Sequence, residues 1–315
     1  MKKKVFIDGS EGTTGLRIFE RFESRDDIEL LKIPSELRKD PVEVKKYINE
    51  SDITFLCLPD AAAREAVAMV ENENTIILDT STAHRTEAGW AYGYPELSAA
   101  HREAIRTGKR IAVPGCYATG FITTAYALTA GGILPKDYPV SAFAVSGYSG
   151  GGKKMIAQYQ AQDKEKELSS ARLYALSQFH KHLKEMKAIS GLERTPLFSP
   201  MVTDYYSGMT VSLTFYADML NGRQTPETVR EYLAKHYAGE KFITVQPLGA
   251  EAESGGVLFS SARSGWDGLE IYVTGNEDRI MVTTRFDNLG KGASGAAIQC
   301  MNIVLGCEED KGLTV

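Results

Sequence analysis

No uninterrupted apolar run in this 315-residue chain reaches the ~18 residues that a membrane-crossing helix needs, so a helical membrane protein is excluded. Behind the opening lysines only Val5-Phe6-Ile7 stand before Asp8, too short a run for the apolar region of a signal peptide. Charge of one sign is not in excess either. Lys and Arg number 36 against 41 Asp and Glu, the net charge is −5, and no dense basic block occurs. Nucleic acid and anionic membranes are therefore not expected partners. Cysteine is scarce: the four, at 57, 116, 300 and 307, show neither the paired spacing of a zinc site nor a disulfide framework. These absences imply a reducing, cytoplasmic setting and no bound metal. There is also no internal repeat and no low-complexity linker, which excludes a solenoid or a tethered array.

What is present is the composition of a globular protein, 43% hydrophobic and 24% charged, in a chain long enough for two domains. Through the first third, apolar strand candidates alternate with amphipathic helical ones. Lys4–Asp8, Ile28–Ile33, Ile53–Leu58, Thr75–Asp79 and Ile111–Val113 read as strands. Leu16–Phe22, Val42–Glu50 and Ala61–Glu71 read as helices between them. Such alternation predicts an α/β, Rossmann-like, doubly wound parallel sheet. From about Tyr138 longer alternating segments take over, at Pro139–Tyr148, Gly208–Tyr216, Phe242–Val245, Leu269–Thr274 and Ile280–Asn288. With helices at Lys153–Gln160 and Pro226–Tyr237 they predict an α+β second domain on a mostly antiparallel sheet. The expected division is residues 1–116 with 289–315 for the nucleotide-binding domain, and 117–288 for the catalytic and oligomerisation domain.

The first glycine-rich turn, Gly9-Ser10-Glu11-Gly12-Thr13-Thr14-Gly15, joins a strand to a helix. That arrangement aims backbone amides and a helix N-terminus at a phosphate. Gly9 allows the tight turn, Gly12 the approach of a pyrophosphate, and Gly15 close packing of helix on strand. The spacing is G-x-x-G-x-x-G, a variant of the dinucleotide fingerprint. After the second strand stand Ser35, Arg38 and Lys39, a hydroxyl and two cations where a 2′-phosphate would lie. NADP(H) is therefore expected over NAD(H). Pro59, at the end of the third strand segment, and Ser81, after the fourth, fall on the same edge of the sheet as Gly9–Gly15 and Cys116, and complete the expected cofactor set with Thr13 and Thr14.

Cys116 follows the turn Pro114-Gly115 and precedes the helical stretch Tyr117–Leu128. A thiol at the first turn of a helix meets unpaired amides and the positive end of the helix dipole. Such surroundings bring a thiol from about 8.5 into the range ~3.5–7.5, which makes it a nucleophile at neutral pH. Ser146-Gly147-Tyr148-Ser149-Gly150-Gly151-Gly152-Lys153 is a second glycine-rich turn suited to an anion. In His180-Lys181-His182-Leu183-Lys184-Glu185 either imidazole is a natural acid/base for a cysteine nucleophile.

Taken in order, Gly9–Gly15, Asp79–Arg85, Tyr92–Leu97, Pro114–Gly120, Ser146–Lys153, His180–Met186 and Asn288–Gly295 resemble the N-acetyl-gamma-glutamyl-phosphate reductases, in their shorter, second type. The resemblance spans nearly the whole chain. It departs from the longer type at Asp79-Thr80-Ser81-Thr82-Ala83-His84-Arg85, where Asp-Leu-Ser-Ala-Asp-Phe-Arg is the pattern. It departs again at Lys184, which replaces the proline of His-Arg-His-x-Pro-Glu and leaves both His180 and His182 as candidates.

The resemblance implies NADPH-dependent reduction of an acyl phosphate through a thioester on Cys116, with His180 or His182 moving the proton and Glu185 orienting the imidazole. It implies Arg85, Ser149, Gly150 and Lys153 as substrate contacts and Asn288 near the nicotinamide. It also implies a homo-oligomer, dimer or tetramer, with a small acyl phosphate as its ligand. The same chemistry on aspartyl or N-acetyl-aminoadipyl phosphate stays open at this level. A non-enzymatic NADP-binding sensor is the other alternative, although sensing needs no activated thiol.

Overall fold

The computed structural model describes residues 2–315, which divide into two compact units. The first comprises residues up to Gly115 together with Ala293–Leu313. Its elements run β1 (Lys3–Asp8), α1 (Thr13–Phe22), β2 (Ile28–Leu31), α2 (Pro41–Glu50), β3 (Ile53–Leu56), α3 (Asp60–Ala68) and β4 (Ile76–Asp79). They continue with β5 (Ala91–Tyr92), α4 (Ala99–Thr107) and β6 (Arg110–Ala112). All pairings are parallel, in the order β2-β1-β3-β4-β6-β5. Successive strand residues go to opposite layers. Val5, Ile7, Ile53 and Phe55 pack with Ile18 and Phe22 of α1, Ile105 of α4 and the C-terminal helix Gly295–Leu305. Phe6, Leu56 and Ile77 pack with α2 and α3 through Val44, Ile48, Ala63 and Ala66. Both faces of the sheet are thus covered, which is why its strands read as unbroken apolar runs.

The second unit holds Cys116–Gly292 and Thr314–Val315. Its elements are α5 (Cys116–Ala130), β7 (Ser141–Gly147), α6 (Gly152–Gln160), β8 (Arg172–Leu173), α7 (Leu183–Ser190) and β9 (Leu197–Thr203). Then follow β10 (Met209–Tyr216), α8 (Pro226–His236), β11 (Ile243–Val245), β12 (Leu269–Gly275) and β13 (Arg279–Phe286). The seven-stranded sheet has the order β11-β12-β13-β10-β7-β9-β8. Only β11-β12 and β7-β9 are parallel pairs, so the sheet is mixed with antiparallel pairing predominant. α5 lies across one face, and Gly120 permits the approach. A Cβ there would stand 2.6 Å from Thr284 Oγ1 and 2.7 Å from Val211 Cγ2. α5 is buried on nearly every side from Tyr117 to Leu128, consistent with its lack of a polar stripe.

The structure adds elements absent from the sequence expectations, namely α4, α7, β5, β8 and β9. Gly290–Ser294 form a π-helical turn before the regular helix begins at Gly295. Among the described residues no helix is long and apolar enough to cross a membrane.

Candidate active site

In the first unit, the turn after β1 is held by glycine at the two places where a side chain has no room. Gly9 sits at φ +84°, and a Cβ on it would meet the Cys57 carbonyl oxygen at 2.4 Å. A Cβ on Gly15 would meet the Gly9 carbonyl oxygen at the same distance, so α1 rests directly on the turn. Gly12 caps α1 and brings no side-chain acceptor, whereas α2 is capped by Asp40 accepting from the Val42 amide at 2.9 Å. Thr13 Oγ1 is buried in the first turn without a hydrogen-bond partner among the described residues. An uncapped N-terminus, a backbone cradle and an orphaned hydroxyl fit a phosphate group.

Pro59 likewise opens α3 without a side-chain cap. Ser35, Arg38 and Lys39 are exposed on the turn after β2, and Arg38 is ion-paired with Glu11 of the glycine turn. Ahead of that turn, desolvation raises the half-buried Asp8 carboxyl to about 6, against a smaller opposing effect of its hydrogen bond with the Gly9 backbone. Burial pushes the Cys57 thiol up to about 12.

Two expected ligand contacts in this unit are engaged with the protein itself. Ser81 Oγ donates to Asp79 Oδ2 at 2.7 Å. The same carboxylate oxygen lies 2.6 Å from His84 Nδ1, and the His84 ring is stacked on Trp90. Arg85 is buried, with Nε donating to the Val113 carbonyl at 2.8 Å and Nη2 to Thr80 at 2.9 Å. Its guanidinium thereby fixes the chain just before Pro114-Gly115-Cys116.

In the second unit Cys116 is the first residue of α5 and is partly exposed. The π-helical turn is packed against it: a Cβ on Gly292 would stand 2.9 Å from Cys116 Cβ and 3.3 Å from its Cα. Against the ring of Tyr117, the residue after Cys116, the structure gathers Tyr174, His180 and His182. The Tyr117 ring lies 5.7 Å from that of His180 and 6.0 Å from that of His182, and the two imidazoles are 4.7 Å apart. The Tyr117 hydroxyl donates to the Met201 carbonyl at 3.4 Å, and its ring lies 6.4 Å from that of Tyr174. Burial raises both phenols above their ordinary range, and the Cys116 charge adds to the effect.

Tyr174 Oη also lies 3.4 Å from His180 Nε2, while the His182 backbone amide donates to His180 Nδ1 at 3.2 Å. The neutral tautomer consistent with both contacts carries its hydrogen on Nε2. Burial, helped by the Lys181 charge, draws His180 down to about 4, so this imidazole is neutral at pH 7. Glu185 is buried in the first turn of α7, whose N-cap is His182.

The second glycine turn is more engaged with backbone than its sequence suggests. The Gly147, Tyr148 and Ser149 amides donate to the carbonyls of Gly208, Tyr205 and Tyr206, and Gly152 donates to Ser149. The Gly152 amide is thereby not open to an anion, whereas Lys153 is exposed. Asn288 is buried and joined to this turn, its Nδ2 donating to Ser149 Oγ at 3.0 Å while Oδ1 accepts from the Gly208 amide at 2.9 Å. Lys291 is also buried, with Nζ over the Phe242 ring.

Residues 116–288 match the family model of the semialdehyde dehydrogenase dimerisation domain, and residues 4–106 match that of its NAD-binding domain. N-acetyl-gamma-glutamyl-phosphate reductase 2 of Nostoc sp. is 43% identical over 99% of both chains. The N-acetyl-gamma-glutamyl-phosphate reductase of Brucella ovis is 44% identical over 97% of this chain and 100% of its own. The chain belongs to the N-acetyl-gamma-glutamyl-phosphate reductase family of semialdehyde dehydrogenases. Its fold is shared with aspartate semialdehyde dehydrogenase from Francisella tularensis, at a TM-score of 0.72 and 15% identity over 97% of this chain and 100% of the other.

Within this reductase-family chain, the residue that the motif pattern did not single out is Tyr174. It lies in irregular structure just after the two-residue strand β8, with no periodicity around it. The available signal was spacing: a large aromatic with a polar tip six residues before His180.

Proposed function

We propose that this chain catalyses the NADPH-dependent conversion of N-acetyl-glutamyl 5-phosphate to N-acetyl-glutamate 5-semialdehyde and phosphate, a step of arginine biosynthesis, in the cytoplasm. The reading is carried by Cys116 standing as the first residue of a buried helix beside a Tyr117–Tyr174–His180 array, in a chain whose full-length relatives are named for that reaction.

The helix N-terminus favours the thiolate of Cys116, whose proton passes to the imidazole pair His180 and His182. Sulfur then attacks the acyl carbon. The carbon–sulfur bond forms, the carbon–oxygen bond to phosphate breaks, and a thioester remains on Cys116. A bound nicotinamide supplies the hydride that reduces this carbonyl. The imidazole pair returns its proton to the carbonyl oxygen, which gives a thiohemiacetal. Removal of that proton by the same imidazole lets the carbon–sulfur bond break, releasing the aldehyde and the Cys116 thiolate. Gly150, Gly151 and Lys153 are the proposed contacts for the phosphate or carboxylate of the substrate. Ser149 and Asn288 shape that turn, and Arg85 holds the Val113 and Thr80 carbonyls. The cofactor is proposed to bind along Gly9–Gly15, Pro59 and Ser81, with Ser35, Arg38 and Lys39 reading the 2′-phosphate.

The reverse reaction tests this. NADP⁺ reduction at 340 nm is followed with N-acetyl-glutamate semialdehyde and phosphate or arsenate, with aspartate semialdehyde as the competing substrate. Activity with the acetylated substrate alone, absent in Cys116→Ser, is expected. Activity with aspartate semialdehyde alone would overturn the substrate assignment. Full activity in Cys116→Ser would overturn the mechanism.

A further inference from the structure

We propose that Glu11 sets the cofactor preference of this chain by competing with the cofactor's 2′-phosphate for Arg38. The inference rests on the reading of Arg38 as the reader of that phosphate, and deepens it.

Glu11 is the single acidic residue of the turn Gly9–Gly15, immediately before the Gly12 cap of α1. A carboxylate so close to a phosphate-binding helix N-terminus opposes an incoming anion unless a cation neutralises it. Arg38 is that cation, and the ion pair is half exposed, its side chains retaining 41% and 53% of their accessible surface. Arg38 therefore has two possible anionic partners, the Glu11 carboxylate or a 2′-phosphate. The phosphate has the larger charge and matches the guanidinium in two-point contact, so it displaces Glu11. Displacement subtracts the strength of the ion pair from the affinity for the phosphorylated cofactor. A cofactor with a bare 2′-hydroxyl leaves the pair in place and loses nothing. Glu11 thus holds down the preference for NADP(H) over NAD(H).

The test measures binding directly, by calorimetric titration with 2′-phosphorylated and unphosphorylated adenosine 5′-phosphate, and by fluorescence titration with NADPH and NADH. Wild type, Glu11→Gln, Arg38→Ala and the double variant are compared. Glu11→Gln is expected to tighten the 2′-phosphorylated ligands about two- to fivefold, the scale of an exposed ion pair, without tightening the unphosphorylated ones. In the Arg38→Ala background the same substitution gives no gain that depends on the 2′-phosphate. If Arg38→Ala lowers the 2′-phosphate preference but Glu11→Gln leaves it unchanged, the competition proposal is wrong and the reading of Arg38 survives. If Arg38→Ala leaves the preference unchanged, the Arg38 reading itself is overturned and the competition proposal with it.

Discussion

Tyr174 and Asp8 show how much of the chemistry rests on single side chains whose surroundings a sequence does not display. Under the proposed mechanism Tyr174 acts through His180 as a positioning residue, its hydroxyl 3.4 Å from Nε2. Tyr174→Phe keeps the ring and its burial and removes only that oxygen. A hydroxyl that accepts from an imidazolium favours the charged form, so its loss lowers the His180 pKa further. The expected result is a fall in kcat of about tenfold with KM little changed, and an acid limb of the pH profile displaced downward. A side chain that merely packs would leave both the rate and the profile where they are.

Asp8 makes a stability prediction. Its carboxyl titrates at about 6 in the fold against 3.8 otherwise, so the folded chain favours the neutral acid. Below about pH 4 folded and unfolded states are both protonated and nothing is lost. As pH rises through the window from 4 to 6 the folded state is increasingly penalised, and above 6 the penalty is complete. Asp8→Asn is expected to raise the unfolding free energy at pH 8 by on the order of 1–3 kcal/mol, and to match wild type at pH 4. Equal stability of the two proteins at both pH values, in thermal or urea unfolding, would contradict the assignment. The place of Cys116 at the head of α5 was legible because Pro-Gly before an apolar helical run is a local signal. The engagement of Ser81, Arg85 and Asn288 with neighbouring protein groups was not, because each depends on partners supplied by the folded chain.

At the scale of elements, the packing of the π-helical turn on the start of α5 leaves no room for a methyl group. A Cβ on Gly292 would stand 2.9 Å from Cys116 Cβ and 3.3 Å from its Cα, so a side chain at 292 must move backbone, not a flexible tip. Gly292→Ala is expected to destabilise by about 1–3 kcal/mol, as overpacking does, and to lower activity well beyond the fraction of protein unfolded. The rate of iodoacetamide reaction at Cys116, measured under folding conditions, separates the two effects. An unchanged rate together with unchanged kcat would show that the turn does not position the thiol.

The elements themselves were unequally visible. The strands of the first sheet are buried on both faces and read as apolar runs, whereas α4 buries a single apolar residue, Ile105, and shows no stripe. β9 carries Pro200 in its middle, a residue that disfavours strands, yet it pairs with β7 throughout and its Pro200 carbonyl accepts from the Tyr174 amide. Register against a neighbour made β9 a strand, and no local pattern contains that register.

For the whole molecule, the second sheet poses a problem of coverage. α5 lies on one face, while the other presents Phe143, Leu197, Tyr216 and Met281, exposed at 45%, 59%, 60% and 37%. These side chains do not sit singly. Phe143 is in register with Ser212, and Met281 with Thr214, so aromatic and sulfur-containing groups are set among small hydroxyls across β7, β10 and β13. An exposed apolar face of this kind is a candidate interface. Residues 116–288 match the model described as a dimerisation domain, which supports a second copy of the chain as the occupant. Flat self-association through a sheet face follows a two-fold axis, so each substituted residue is introduced twice into the contact.

Phe143→Arg with Met281→Arg therefore places four cations in one interface. Light scattering at micromolar concentration is expected to give the mass of a smaller species, a monomer if this is the only contact. Circular dichroism should stay unchanged, because both positions point away from the covered core. Retention of the wild-type mass would locate the subunit contact on a different surface. Loss of mass accompanied by unfolding would mean that the face is needed for folding of the unit itself, and a milder Phe143→Ser variant then distinguishes association from folding by the dependence of its melting temperature on protein concentration.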